Sequence, residues 1–220
     1  MKVHIVVVSV LSVLLLGASV ASAATLQVTV TDQKNAPLED VVVVATPLAG
    51  KLKPPGAPRQ QIIDQIKLEY VPFVTVIQTT TPVIFPNKDN TRHHVYSFSA
   101  AKKFEIPLYA GVTAAPVIFD KPGIVVLGCN IHDRMLAYVY VTDSPYHGAT
   151  GKEGAVDIGG LEDGEYEVQA WHPGLADPEA LATQRVRLDA SQITIAALRL
   201  EVKPIIRGRR APRPGGGGYR

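Results

Sequence analysis

The chain has 220 residues, a formal charge of +2, 46% hydrophobic and 19% charged side chains, one cysteine and two methionines. That length allows one large or two small domains with a buried core, and the composition fits neither a disordered chain nor a protein of many membrane spans. A single cysteine excludes an intrachain disulfide framework and an all-cysteine zinc cage.

Lys2, the aliphatic run from Ile5 to Leu16 and the small residues Ala18 to Ala24 form the three-part pattern of a secretory signal peptide, with an A-x-A site at Ala21, Ser22 and Ala23. Residues 1–23 are therefore expected to be cleaved on export to the periplasm. The alternative is an uncleaved anchor, since the apolar stretch approaches the roughly 20 residues of a membrane span. An exported protein meets an oxidising compartment, where a lone thiol needs a use or a hiding place.

Strand signals follow through nearly all the remainder. Leu26, Val28 and Val30 alternate with Gln27, Thr29 and Thr31; Asp32 to Pro37 reads as a turn, and Val41 to Val44 as a second apolar strand, the pair forming an opening hairpin. Between Leu48 and Leu68, Pro54, Pro55, Gly56 and Pro58 read as a linker before a strand through Ile66 and Leu68. Further strands are predicted at Val74 to Ile77, Val83 to Phe85, His94 to Phe98, Val117 to Phe119, Ile124 to Leu127, Leu136 to Val141, Tyr166 to Ala170 and Ile193 to Leu200. No segment carries a long, capped apolar repeat at helical spacing, so the fold class is all-β, built of sandwiches.

The last 17 residues, 204–220, hold five arginines, three prolines, five glycines and no acid, a tail that cannot bury a core. Residues 24–203 carry 16 basic and 20 acidic side chains, so the basicity belongs to the tail and a nucleic-acid-binding face on the folded part is not expected. The tail suits an anionic surface or partner, or simply solvent.

One segment concentrates reactive side chains. Gly128-Cys129-Asn130-Ile131-His132-Asp133-Arg134-Met135 offers a thiolate, an imidazole and a thioether within seven residues, and Thr91-Arg92-His93-His94-Val95-Tyr96 supplies further imidazoles at the head of a strand. Two nitrogens, one thiolate and a weak axial thioether are the ligand set of a mononuclear type 1 copper site. Zinc is the competing metal, though it normally takes a harder fourth ligand or water. A Cys-His nucleophile is the enzymatic alternative, with no third orienting group or oxyanion device in evidence. His147 and His172 have no partner at ligand spacing and read as packing or surface residues.

These residues carry a resemblance. Cys129-x-x-His132-x-x-Met135, between the strands Gly123 to Gly128 and Leu136 to Val141, resembles the ligand loop of cupredoxins, with a spacing most like amicyanin. Upstream, Tyr70-Val71-Pro72, Val83-Ile84-Phe85-Pro86-Asn87-Lys88-Asp89 and His93-His94-Val95 are similar to the plastocyanin-like pattern F-x-P, V-x-F-x-N-x-D and H-N-V, over roughly residues 66 to 142. The whole chain resembles exported bacterial proteins named for methylamine utilisation. The resemblance implies a Greek-key cupredoxin sandwich holding one type 1 copper ion through His93, Cys129, His132 and the axial Met135. At His94, cupredoxins usually have an asparagine that braces the cysteine loop; His94 is expected to take that task or to compete with His93 as ligand. Asp133 stands where amicyanin has proline.

Leu26 to Ala45 and Gly151 to Val202 together resemble a transthyretin-like or carboxypeptidase-regulatory-like sandwich, in which V-x-D-x-x-x-x-P-L-x-x-A-x-V precedes G-L-x-x-G-x-Y-x-V. The expected organisation is a small immunoglobulin- or transthyretin-like sandwich of residues 24–47 plus 148–203, split by a cupredoxin domain at 58–146. The expected function is a periplasmic one-electron carrier with no substrate chemistry of its own, served by a redox partner such as a dehydrogenase or a c-type cytochrome, with Lys102, Lys103 and Arg134 as candidate docking charges. The alternative is an exported copper chaperone, or a carbohydrate- or protein-binding sandwich with a non-redox site.

Overall fold

The computed structural model describes residues 23–52, 59–112, 115–177, 180–189 and 192–205. The expected signal peptide through residue 22, the linker prolines at 54, 55 and 58, and the arginines of the tail lie outside the described residues. Among those described there are 17 strands and no helix, the all-β class expected.

In chain order the strands are β1 (Ala24–Thr31), β2 (Val42–Pro47), β3 (Gln61–Ile62), β4 (Asp64–Ile66), β5 (Glu69–Val71), β6 (Val74–Gln78), β7 (Pro82–Ile84), β8 (His93–Phe98) and β9 (Lys103–Tyr109). There follow β10 (Val117–Ile118), β11 (Gly123–Gly128), β12 (Leu136–Thr142), β13 (His147–Ala149), β14 (Ala155–Leu161), β15 (Gly164–Trp171), β16 (Ala182–Leu188) and β17 (Ile193–Arg199).

Two sheets, β14-β1-β17 and β13-β2-β15-β16, share one core. The inward positions of β1, Leu26, Val28 and Val30, meet Val43 and Ala45 of β2, Tyr166 and Val168 of β15, and Leu198 of β17. A second sandwich pairs the five-stranded sheet β6-β12-β11-β8-β9 with the short sheet β10-β7-β3 around Phe85, Val95, Phe119, Val125, Leu127 and Val139, and this second core also contains Cys129 and Met135.

The two sandwiches meet through β2. Val43 and Ala45 face the first core, while Val42 and Val44, on the other face, join Trp171 of β15 against Val74 of β6 and the outer face of β12. Tyr138 and Tyr140 sit edge-on and tilted to the Trp171 ring, with centroids at 5.8 and 5.5 Å. Burying side chains of this size stabilises by about 1.5–3 kcal/mol each, which gives this layer the weight of a core.

Several expectations change. β1 and β2 are not a hairpin, because they lie in different sheets. The turn is present, with Leu38 N–H bonding back to Val30 O at 3.0 Å, but the chain then crosses to the other layer. A strand that is apolar on both faces belongs in the middle of a buried sheet, and β2 lies between β13 and β15. The strand expected through Leu68 breaks there: Lys67 and Leu68 have φ of 55° and 64° and form the turn between β4 and β5. The strands without a signal in the sequence include β9, β14 and β16, besides the short β3 and β13. β9 contains Pro107, tolerated because β9 is the edge of its sheet, and β14 and β16 carry glycines or alternating polar residues with little apolar signal.

Candidate metal centre

The antiparallel pair β11 and β12 closes the register Gly128 with Leu136, so Cys129 to Met135 is a short loop pinned at both ends. Cys129 and Met135 turn inward and are buried, while His132 lies half-buried at the tip and Met135 N–H bonds to His132 O at 2.9 Å. His93 comes from the first position of β8 and is fully buried.

Three donor atoms converge. His93 Nδ1 lies 3.2 Å from His132 Nδ1 and 3.9 Å from Cys129 Sγ, and His132 Nδ1 lies 3.6 Å from Cys129 Sγ. The point equidistant from these corners is about 2.1 Å from each, the length of a metal–nitrogen bond and close to that of a metal–sulfur bond. Among the described residues, these are the one group of three or more His, Cys, Asp or Glu side chains whose donor atoms all approach within 4.8 Å.

The far nitrogen of His93 is held from behind. Nε2 lies 2.8 Å from Asp89 Oδ2, and the same carboxylate accepts the Leu68 N–H at 2.8 Å and the Lys67 N–H. Burial would raise the Asp89 pKa, but the backbone donor of Leu68, the His93 ring and the backbone donor of Lys67 outweigh it and hold the carboxyl below its ordinary range. An ionised carboxylate takes a proton donor, so His93 carries its hydrogen on Nε2 and presents the bare Nδ1 to Cys129 and His132. Burial, and secondarily the neighbouring His93, lower the His132 pKa, with the Asp89 charge opposing, so this ring stays neutral to lower pH than a free imidazole.

The chain is similar to cupredoxins of solved structure. It matches a copper-containing nitrite reductase from Thermus scotoductus at 24% identity over 44% of this chain and 25% of that one, with a TM-score of 0.37. It matches a reduced Cu(I) form of an amicyanin variant at 18% identity over 44% of this chain and 98% of that one, with a TM-score of 0.35. A purple cupredoxin from Nitrosopumilus maritimus matches at 22% over 38% and 98%, with a TM-score of 0.33. The chain thus spans about a quarter of the nitrite reductase. No family model matches the chain, and no curated protein does.

The donor set itself suits copper. The cluster offers two imidazole nitrogens and one cysteine sulfur, and the Asp89 carboxylate is bound to the far ring nitrogen of His93 rather than offered as the hard fourth ligand that zinc favours.

The other sequence-flagged residues fall elsewhere. His94 lies outside the donor cluster and makes no hydrogen bond to the cysteine loop: its Nε2 lies 2.9 Å from Glu105 Oε1, its ring packs on Tyr96 at 5.4 Å, and its buried Nδ1 has no hydrogen-bond partner. Asp133 and Arg134 are exposed in the loop. Lys102 and Lys103 follow the far end of β8, about 16 Å along the strand from His93, and Lys102 is paired with Asp120 at 2.9 Å, so neither stands beside the centre. His172 is a buried packing residue whose Nδ1 accepts the Gly174 N–H at 3.0 Å, and His147 is half-buried in β13. Asp89 is the residue that sequence reasoning passed over: it was visible as the last letter of V-x-F-x-N-x-D, four residues before His93, but that spacing alone assigns it no task.

Proposed function

We propose that the protein is a type 1 copper protein that carries single electrons in the periplasm, exported by a cleaved signal peptide, and that it serves an amine-oxidising system through a dehydrogenase or a c-type cytochrome. The observation that carries the reading is the triangle of the buried His93 Nδ1 and Cys129 Sγ with the half-buried His132 Nδ1, its centre at bonding distance. Bound there, copper would supply a one-electron couple. The chain's own residues do the rest. His93, Cys129 and His132 would hold the ion, and Met135, buried in the same core as Cys129, would supply a soft thioether as a weak further ligand. Asp89 orients His93, and the apolar core around Cys129 excludes water. His132, the least buried of the three, gives electrons their shortest way to a partner. No substrate is transformed.

The test is a reductive titration of the copper-loaded protein. One electron per copper should bleach an intense thiolate-to-copper band, and reoxidation should restore it. A colourless protein that binds copper and releases it to an acceptor would instead favour an exported copper chaperone.

A further inference from the structure

The Tyr70 ring belongs to the core that contains Cys129 and Met135 and is 2% exposed. Its hydroxyl lies 3.0 Å from the carbonyl oxygen of His94 and 3.0 Å from that of Gly128. These two residues are the immediate chain neighbours of His93 and Cys129. A tyrosine hydroxyl has one hydrogen, so the two carbonyls share it. Burial first, and the Cys129 charge second, push its pKa well above the ordinary tyrosine range, so it remains a donor through neutral and alkaline pH.

The sheet is thin where this contact sits. β8 and β11 are in register only at Tyr96 and Gly128. There the Tyr96 ring lies so close over the backbone that a Cβ on Gly128 would come within 2.7 Å of it, leaving no room for side chains to lock the pair. The His94 ring is tied to Glu105 through Nε2, and its Nδ1 makes no hydrogen bond across the pair. Two of the departures from the cupredoxin-like pattern meet in one contact: His94 stands at the asparagine of H-N-V, and at the phenylalanine of F-x-P stands Tyr70, whose added oxygen bonds the backbone of His94.

We propose that the Tyr70 hydroxyl is a positioning group for the metal centre, clamping the backbone beside His93 to the backbone beside Cys129 and so setting the separation of those two ligands. The inference rests on the copper reading of the site and adds a brace that the ligand loop does not contain.

Tyr70→Phe removes one oxygen and keeps the ring. In the full-length copper-loaded protein it should keep the visible band with altered position or width and lower copper affinity about tenfold or more, measured by competition with a chelator of known affinity. Tyr96→Phe, the same change on the adjacent ring, should leave both unchanged. A Tyr70→Phe protein with wild-type spectrum and affinity overturns the proposal. Should that variant not fold, the wild-type apoprotein decides. The Tyr70 hydroxyl proton should appear in NMR spectra as a slowly exchanging resonance with cross-relaxation to His94 and Gly128, and a hydroxyl in fast exchange with water overturns the clamp. A wild-type protein that never develops the band fails the copper reading itself, and the positioning role with it, while the NMR result still reports the contact separately.

Discussion

Replacing Asp89 by alanine should weaken copper binding and shift the redox potential through a residue that touches no metal. The carboxylate receives three donors, from His93, Leu68 and Lys67. The two backbone donors belong to an exposed turn, where water can replace the carboxylate. His93 is fully buried, so its Nε2–H would be left without an acceptor, a loss of about 1–3 kcal/mol to the apoprotein. The ring would also lose the contact that fixes which nitrogen faces the metal. Loss of such an outer contact lowers affinity about 10- to 100-fold. Removing a negative charge from behind a ligand disfavours the oxidised ion more than the reduced one, so the potential should rise, by about 59 mV for each tenfold of selective loss. Chelator competition, voltammetry and urea unfolding of the apoprotein read these effects separately. Asp89→Asn, which keeps an oxygen acceptor, should fall between the wild type and Asp89→Ala in affinity. In the apoprotein, the Asp89 contribution should be complete above about pH 4, the unfolded carboxyl pKa, and be lost as pH falls through the lower folded value. Wild-type affinity and potential in Asp89→Ala would refute the orienting role.

Trp171→Ala should cost about 3–5 kcal/mol in urea unfolding, since the ring is buried against Tyr138, Tyr140, Val42 and Val44. The visible spectrum should be unaffected, because Ala137 and Val139, not the tyrosines, face the core of Cys129; a cost below about 1 kcal/mol would contradict the description of this layer as a true core. Burial depresses the His147 pKa, so the unfolded chain takes up that proton first. Apoprotein stability should decline as pH falls below about 6.5 toward the folded value, and His147→Asn should flatten that part of the profile; an unchanged slope would count against it.

Much of the centre is local in sequence and was legible for that reason. A thiolate, an imidazole and a thioether in a seven-residue loop between two apolar strands must come close to one another when those strands pair. The alternation of Leu26, Val28 and Val30 with Gln27, Thr29 and Thr31 likewise marks the buried face of β1. What periodicity omits is the partner of each face. Val41 to Val44 announced a strand, but only the layer containing Trp171 explains why its second face is apolar and why it leaves β1. Lys103 to Tyr109 was masked by Pro107, whose meaning depends on β9 being an edge. Asp89 and Tyr70 act across contacts that spacing does not encode. The carboxylate holds a turn more than twenty residues upstream, and the hydroxyl reaches a carbonyl 58 positions away.

The visible and electron paramagnetic resonance spectra of the copper-loaded protein beside its Cys129→Ser variant test the copper centre most directly. The wild type should show an intense visible band with the narrow copper hyperfine splitting of a thiolate-bound Cu(II), and the variant should lose both while keeping its far-ultraviolet circular dichroism. A wild type that binds one equivalent of copper without colour, or a variant that keeps the band, would contradict the copper reading.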